Sequence, residues 1–185
     1  MKLVVGLGNP GRKYEHTRHN VGYAVLAELA RQAATSRPRH RFRGEVIEAE
    51  LGGVPALLLS PTTYMNQSGQ SVAEARDFYK LSLDSMLVIC DDLNLPLGKL
   101  RFRASGSSGG HKGLEDIIRH LRSQEFARLR IGIGQVPEGW DAADYVLARF
   151  TEAEKPRIEE AIARAARAVA DWACHGTEYC MNRYN

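Results

Sequence analysis

The chain has 185 residues, of which 44% are hydrophobic and 25% charged, and its formal net charge is +3. That length holds one well-buried core and is short for two domains, and the composition is that of a folded globular protein, which excludes disorder as the default. The mildly basic balance permits an anionic partner without demanding one.

The first predicted element is a buried strand, Lys2 to Leu7, a short β-branched run that stops at glycine. A polar stretch from Asn9 to Asn20 is too long for a tight turn, and Asn20 is placed to cap a helix whose apolar face carries Val21, Ala24, Val25, Leu26 and Leu29. Arg37 to Arg43 is a basic connector. Val46 to Leu51 and Pro55 to Leu59 flank Gly52-Gly53, which predicts a hairpin. Ser68 or Ser71 starts the next helix, which runs through Tyr79. Met86 to Cys90 is a second buried strand, ending abruptly in Asp91-Asp92. Leu100 to Arg103 alternates apolar and basic residues and leads to a glycine-rich loop, Gly106 to Gly110. Leu114 to Leu121 predicts a helix, Leu129 to Ile133 a strand, and about Pro156 to Cys174 a long helix closed by Gly176. Strands alternating with helices predict a single α/β domain over residues 1–185, with helices on both faces of a sheet that the hairpin makes mixed.

Gly6 and Gly8 break the opening apolar run before it reaches the length of a secretory signal, and no stretch is long enough to span a bilayer. Cys90, Cys174 and Cys180 are odd in number and lack CxxC spacing, which argues against a disulfide framework and a thiolate zinc site. The expectation is a reduced, cytoplasmic protein without a membrane partner.

Three motifs invite a function. Gly6 to Gly11 fits GxGxxG directly after a strand, but the polar segment Arg12 to Asn20 stands where a dinucleotide fold opens its helix, and Glu28 sits within a helix rather than after a second strand. Gly106-Ser107-Ser108-Gly109-Gly110 fits GxSxG, with Ser108 as nucleophile and His175 with Asp141, Asp144 or Asp171 as partners. The strand before it alternates with charge, whereas an elbow strand is buried on both faces. His16 and His19 have metal-ligand spacing, but no carboxylate cluster or cysteine accompanies them, so no metal and no cofactor is expected. More informative are Asn9 and Asp91, each at the end of an apolar strand, and His19, in the loop after Asn9. The loops above an open α/β sheet gather ligand-binding residues, and a histidine oriented by a carboxylate is the makings of a general base. A free histidine side chain titrates near pH ~6.5, which suits proton transfer from water at neutral pH.

A resemblance adds to this. Gly6-Leu7-Gly8-Asn9-Pro10-Gly11 with Tyr14 and Thr17-Arg18-His19-Asn20-Val21-Gly22 resembles the N-terminal signature of bacterial peptidyl-tRNA hydrolases. Pro61 to Gly69, Asp91 to Gly98, Ser108 to Leu114 and Arg128 to Gly134 resemble that family's further motifs, in family order and over nearly the whole chain. The resemblance implies a metal-free, monomeric esterase that hydrolyses the ester between a peptide and tRNA, freeing both. It makes His19 the base that activates water and Asp91 the residue that orients it. Asn9 would read the amide of the first peptide residue, and Tyr14, Tyr64 and Asn66 would line the site for peptide and tRNA 3′ end. Arg103 and Arg130 match positions that hold the tRNA 5′ phosphate, and Arg37 to Arg43, Arg101, Lys112 and Arg128 are further cations that could track phosphate. The chain departs from the family at Lys112, where an asparagine is usual, and in Asp92 and Asn94 of the third motif. No family role carries over to Lys112. The alternative is a non-catalytic RNA-binding relative that has kept the fold.

Overall fold

The computed structural model describes residues 1–33 and 35–185. These residues form one seven-stranded sheet from β1 (Lys2–Gly6), β2 (Arg39–Arg41), β3 (Gly44–Leu51), β4 (Val54–Pro61), β5 (Met86–Asp92), β6 (Leu100–Arg103) and β7 (Ala127–Gly132). The helices are α1 (Val21–Gln32), α2 (Ser68–Tyr79), α3 (Lys112–Leu121), α4 (Ala142–Val146), α5 (Lys155–His175) and α6 (Thr177–Tyr184). Strand order is β2-β3-β4-β1-β5-β7-β6, with β4, β1, β5 and β7 parallel and the outer β2, β3 and β6 joined by antiparallel pairings. The mixed α/β architecture expected from the alternation of elements is therefore the observed one.

The central strands are apolar on both faces because both faces are covered. Val4, Leu87 and Ile89 pack with α1 and α5, while Leu3, Val5, Met86, Val88 and Cys90 pack with α2 and α3. Each fully buried Val, Leu or Ile contributes about 1.5–3 kcal/mol relative to exposure. Gly52 and Gly53 both have positive φ and join Leu51 to Val54 directly, the two-residue turn their sequence predicts.

One glycine pair sets the position of the site. A Cβ on Gly22 would lie 2.5 Å from the Leu7 nitrogen and 2.7 Å from the Ile89 carbonyl oxygen, and one on Gly6 would lie 2.4 Å from the Gly22 oxygen. With no side chain at either position, the start of α1 rests directly on the ends of β1 and β5. The turn that precedes α1 is thereby held above those strand ends.

Several elements differ from expectation. The basic connector contains a strand, β2, exposed at every position and so without apolar alternation. α4 has five residues and α6 buries only Cys180, so neither carries a periodic stripe. Asn20 sits at the N-cap of α1 but makes no capping bond. Its side-chain oxygen accepts from the Asn9 N–H instead, at 2.9 Å.

Candidate active site

The parallel strands end on one side of the sheet, and the polar segments that follow them meet there. Asn9 follows β1, Tyr64 and Asn66 follow β4, Asp91 is the penultimate residue of β5, and Arg130 lies on β7. Between Asn9 and α1 the chain makes two short 3-10 turns, Arg12–Tyr14 and Arg18–Asn20, and the second carries His19.

His19 Nδ1 lies 2.9 Å from both carboxylate oxygens of Asp91. His111, the N-cap of α3, brings its Nε2 within 2.9 Å of Asp91 Oδ1. The tautomer of His111 follows from its other nitrogen. Nδ1 accepts from the backbone N–H groups of Gly113 (3.1 Å) and Leu114 (3.3 Å), so it is unprotonated and the ring proton sits on Nε2, facing Asp91. Asp91 is 4% exposed. Burial alone would raise its carboxyl, but electrostatic attraction and hydrogen bonds from the ring N–H groups of His111 and His19 outweigh burial and hold it well below the usual carboxylate range. An ionised Asp91 is acceptor-only, so the His19 nitrogen facing it carries the proton. His19 Nε2 is then left as the lone pair available to the cleft.

Asn9 is buried and its amide is oriented by its bonds. Oδ1 accepts from the Met65 N–H at 2.8 Å, while its main chain is bracketed by Asn20, whose Nδ2 donates to the Asn9 carbonyl at 3.0 Å. That bond fixes which way the amide faces and leaves its two N–H groups to offer to a ligand.

These groups open into a cleft of about 430 Å³. Asn9, His19, Asp91 and His111 lie along it together with Tyr64, Asn66, the loop Ser108–Gly110, Arg130 and Lys112, and Ala142, Ala143, Val146 and Leu147 form an apolar wall. Tyr64 is 60% exposed at the rim. Arg130 bonds the Ser107 carbonyl at 3.1 Å and lies 3.5 Å from Asp92. Gly109 and Gly110 adopt positive φ, and a Cβ on Gly109 would sit 3.3 Å from Arg130 Nη1. Tyr14 and Arg103 do not line the cleft; Tyr14 is half-buried in the first turn, and Arg103 is exposed on β6 opposite Arg128.

The sequence model of peptidyl-tRNA hydrolase matches residues 3–185. The chain belongs to the peptidyl-tRNA hydrolase family. It is 55% identical to the peptidyl-tRNA hydrolase of Rhodopirellula baltica, over all of this chain and 97% of that one. It is 48% identical to that of Geobacillus thermodenitrificans over the full length of both. The crystal structure of Acinetobacter baumannii peptidyl-tRNA hydrolase superposes with a TM-score of 0.93 at 35% identity, covering all of this chain and 94% of that one. The chain is accordingly an enzyme, a hydrolase of peptidyl-tRNA that acts in translation.

Within this peptidyl-tRNA hydrolase the other motifs find different employment. Gly11 leads into a 3-10 turn and not an α-helix, so no helix N-terminus stands ready for a pyrophosphate. Ser108 Oγ accepts from the Gly110 N–H, while His175 packs on Tyr179 and Asp141 caps α4; neither bonds Ser108. His16 is exposed and apart from the His19 cluster. Arg128, read from sequence as a phosphate contact, is fully buried and donates to the carbonyls of Ser107, Gln124 and Phe126, so it braces the glycine-rich loop from behind. Lys112 is 70% exposed at the first position of α3 and lies 3.6 Å from Glu115. His111 escaped the reading of the sequence as a functional residue. The signal was available: a histidine between Gly110 and the first residue of a helix stands at the N-cap, where its ring is fixed by orphan backbone donors.

Proposed function

We propose that His19 is the general base of ester hydrolysis, activating the water that cleaves peptide from tRNA, and that Asp91 holds it in the reactive tautomer. The observation that carries this reading is the contact of His19 Nδ1 with both oxygens of a buried, ionised Asp91, which leaves Nε2 basic and facing the cleft. His111 is a second donor to the same carboxylate and keeps it from turning away. Water loses its proton to Nε2 as its oxygen attacks the ester carbonyl, and the collapsing intermediate expels the tRNA 3′ oxygen, which takes a proton from the imidazolium.

Asn9 supplies the selectivity. Its N–H groups, turned toward the substrate, pair with the carbonyl of an N-acyl substituent, whereas the ammonium of an ordinary aminoacyl ester presents donors to donors. Tyr64 and Asn66 border the peptide and the tRNA 3′ end, and Arg130 and Arg103 receive the 5′ phosphate. The reaction needs no metal. His19, Asp91 and His111 bring ligand atoms within 4.8 Å of one another. Yet an ion bound at His111 Nε2 would expel its proton from a ring whose other nitrogen already accepts two backbone donors. The donor set suits a shared proton better than a cation. Every group in this scheme comes from one chain, consistent with a monomer acting in the cytoplasm. Among the described residues, no helix is long and apolar enough to cross a membrane.

The test is turnover of N-acetyl-aminoacyl-tRNA beside free aminoacyl-tRNA, with and without chelator. Fast release of tRNA from the blocked ester only, unchanged by chelator, is the expected result. Inhibition reversed by added zinc would end the metal-free mechanism, and absence of turnover would favour a non-catalytic RNA-binding role.

A further inference from the structure

Arg18 precedes His19 in the same 3-10 turn and has no part in the chemistry above. It is 5% exposed, an uncommon location for an arginine. Nη2 donates to Glu154 Oε1 at 2.7 Å, and Nη1 to the Arg149 carbonyl at 2.8 Å. The guanidinium lies 4.2 Å over the Tyr145 ring and 5.3 Å from that of Phe150. The main chain is tied to the same segment: the Arg18 N–H donates to the Ala148 carbonyl at 3.0 Å, and Thr17 bridges Arg149.

The partners of these contacts run from Tyr145 to Glu154, overlapping and continuing the segment that forms the apolar wall of the cleft. Tyr145 belongs to α4 and adjoins Val146, one of the wall residues, and its hydroxyl donates to the Ile133 carbonyl just past β7 at 2.8 Å. The three side chains of the turn thus diverge to three different anchors. Arg18 reaches the α4–α5 segment, His19 reaches Asp91, and Asn20 reaches Asn9.

We infer that Arg18 is a positioning residue, which locks the turn carrying His19 to the α4 wall so that base and seated ester keep one geometry. The inference rests on the reading of His19 as the base. Only an arginine does this: its planar fork serves a carboxylate and a carbonyl at once while its face stacks on Tyr145, which an ammonium cannot do. If the turn moves, His19 shifts relative to both the ester and Asp91, and displacements near 1 Å cost about a hundredfold in rate.

The experiment is a double-mutant cycle of Arg18→Lys with Asp91→Asn, reading kcat and KM on N-acetyl-aminoacyl-tRNA, with thermal unfolding in parallel. Arg18→Lys is expected to lower kcat about 10- to 100-fold with KM within about threefold. In the Asp91→Asn background the same change is expected to cost less than about threefold, because orientation of His19 is already lost. A merely structural arginine would lower the melting temperature and reduce kcat by the same factor in both backgrounds, and that result overturns the inference. Should Arg18→Lys not fold, Glu154→Gln keeps an acceptor of the same shape and is expected to lose about 2- to 10-fold in kcat, again only with Asp91 intact. Wild-type kcat for Glu154→Gln would then overturn it. Full turnover by Asp91→Asn alone has a separate meaning: it refutes the His19–Asp91 mechanism, and the inference falls with it.

Discussion

His111 performs two tasks through two nitrogens, and substitution can separate them. Nδ1 caps α3 through Gly113 and Leu114, and Nε2 donates to Asp91. Alanine removes both: a lost N-cap costs about 0.5–2 kcal/mol, and a hydrogen bond to a buried charge about 1.5–3 kcal/mol, roughly 2–5 kcal/mol in all. Asparagine is a good N-cap, but its shorter amide cannot cap and reach Asp91 together, so His111→Asn should lose only the second quantity. Urea unfolding is therefore expected to place His111→Asn about 1 kcal/mol above His111→Ala and both below wild type. Turnover should not separate them. Both variants remove the second donor that steadies Asp91, so kcat should fall by a similar factor, on the order of tenfold, the equivalent of ~1.4 kcal/mol. Equal stability of the two variants would refute the capping role of Nδ1. Wild-type kcat in both would refute the claim that His111 supports the carboxylate.

Because Asp91 has a depressed carboxyl in the native state, the stability it contributes is complete above the unfolded value, near pH ~3.9, and is lost as pH falls through the native one. Asp91→Asn should therefore flatten the loss of stability below about pH 4, measured by denaturant titration at each pH; an unchanged acid slope would contradict the ionised assignment. Asn9→Ala should narrow the preference for N-blocked over free aminoacyl-tRNA, and unchanged discrimination on paired substrates would remove Asn9 from that role. Arg103→Ala and Arg130→Ala should each raise KM for full-length substrate and reduce its salt slope by about one unit, with little effect on a minimal substrate lacking the 5′ phosphate; equal losses on both substrates would make these arginines structural.

The sheet was legible where burial left a plain pattern. The runs at Leu3–Val5 and Met86–Cys90 are apolar on both faces because helices cover both, and Gly52-Gly53 dictates its own turn. β2 and α4 were not legible: Arg39-His40-Arg41 is exposed at every position and shows no apolar alternation, and five residues cannot display a helical period. The site divides in the same way. Asn9 and Asp91 stand at strand ends, where position alone makes a polar residue conspicuous, and His19 follows in the loop after Asn9. The partnerships that give them chemistry cross long distances in sequence. Asn20 resembled a cap and serves Asn9, Arg128 resembled a phosphate contact and braces a loop, and His111 reaches back to Asp91 across 20 residues. Local propensity carries no information about such contacts, because their energy comes from the tertiary approach of β1, β5 and α3.

The central claim is that His19 acts on water and not on the tRNA. The most direct measurement is single-turnover hydrolysis of N-acetyl-aminoacyl-tRNA by His19→Ala, alongside its affinity for deacylated tRNA. Loss of measurable hydrolysis with tRNA binding within a few-fold of wild type is the predicted result. Hydrolysis near the wild-type rate, or a loss explained entirely by weakened tRNA binding, would contradict the account.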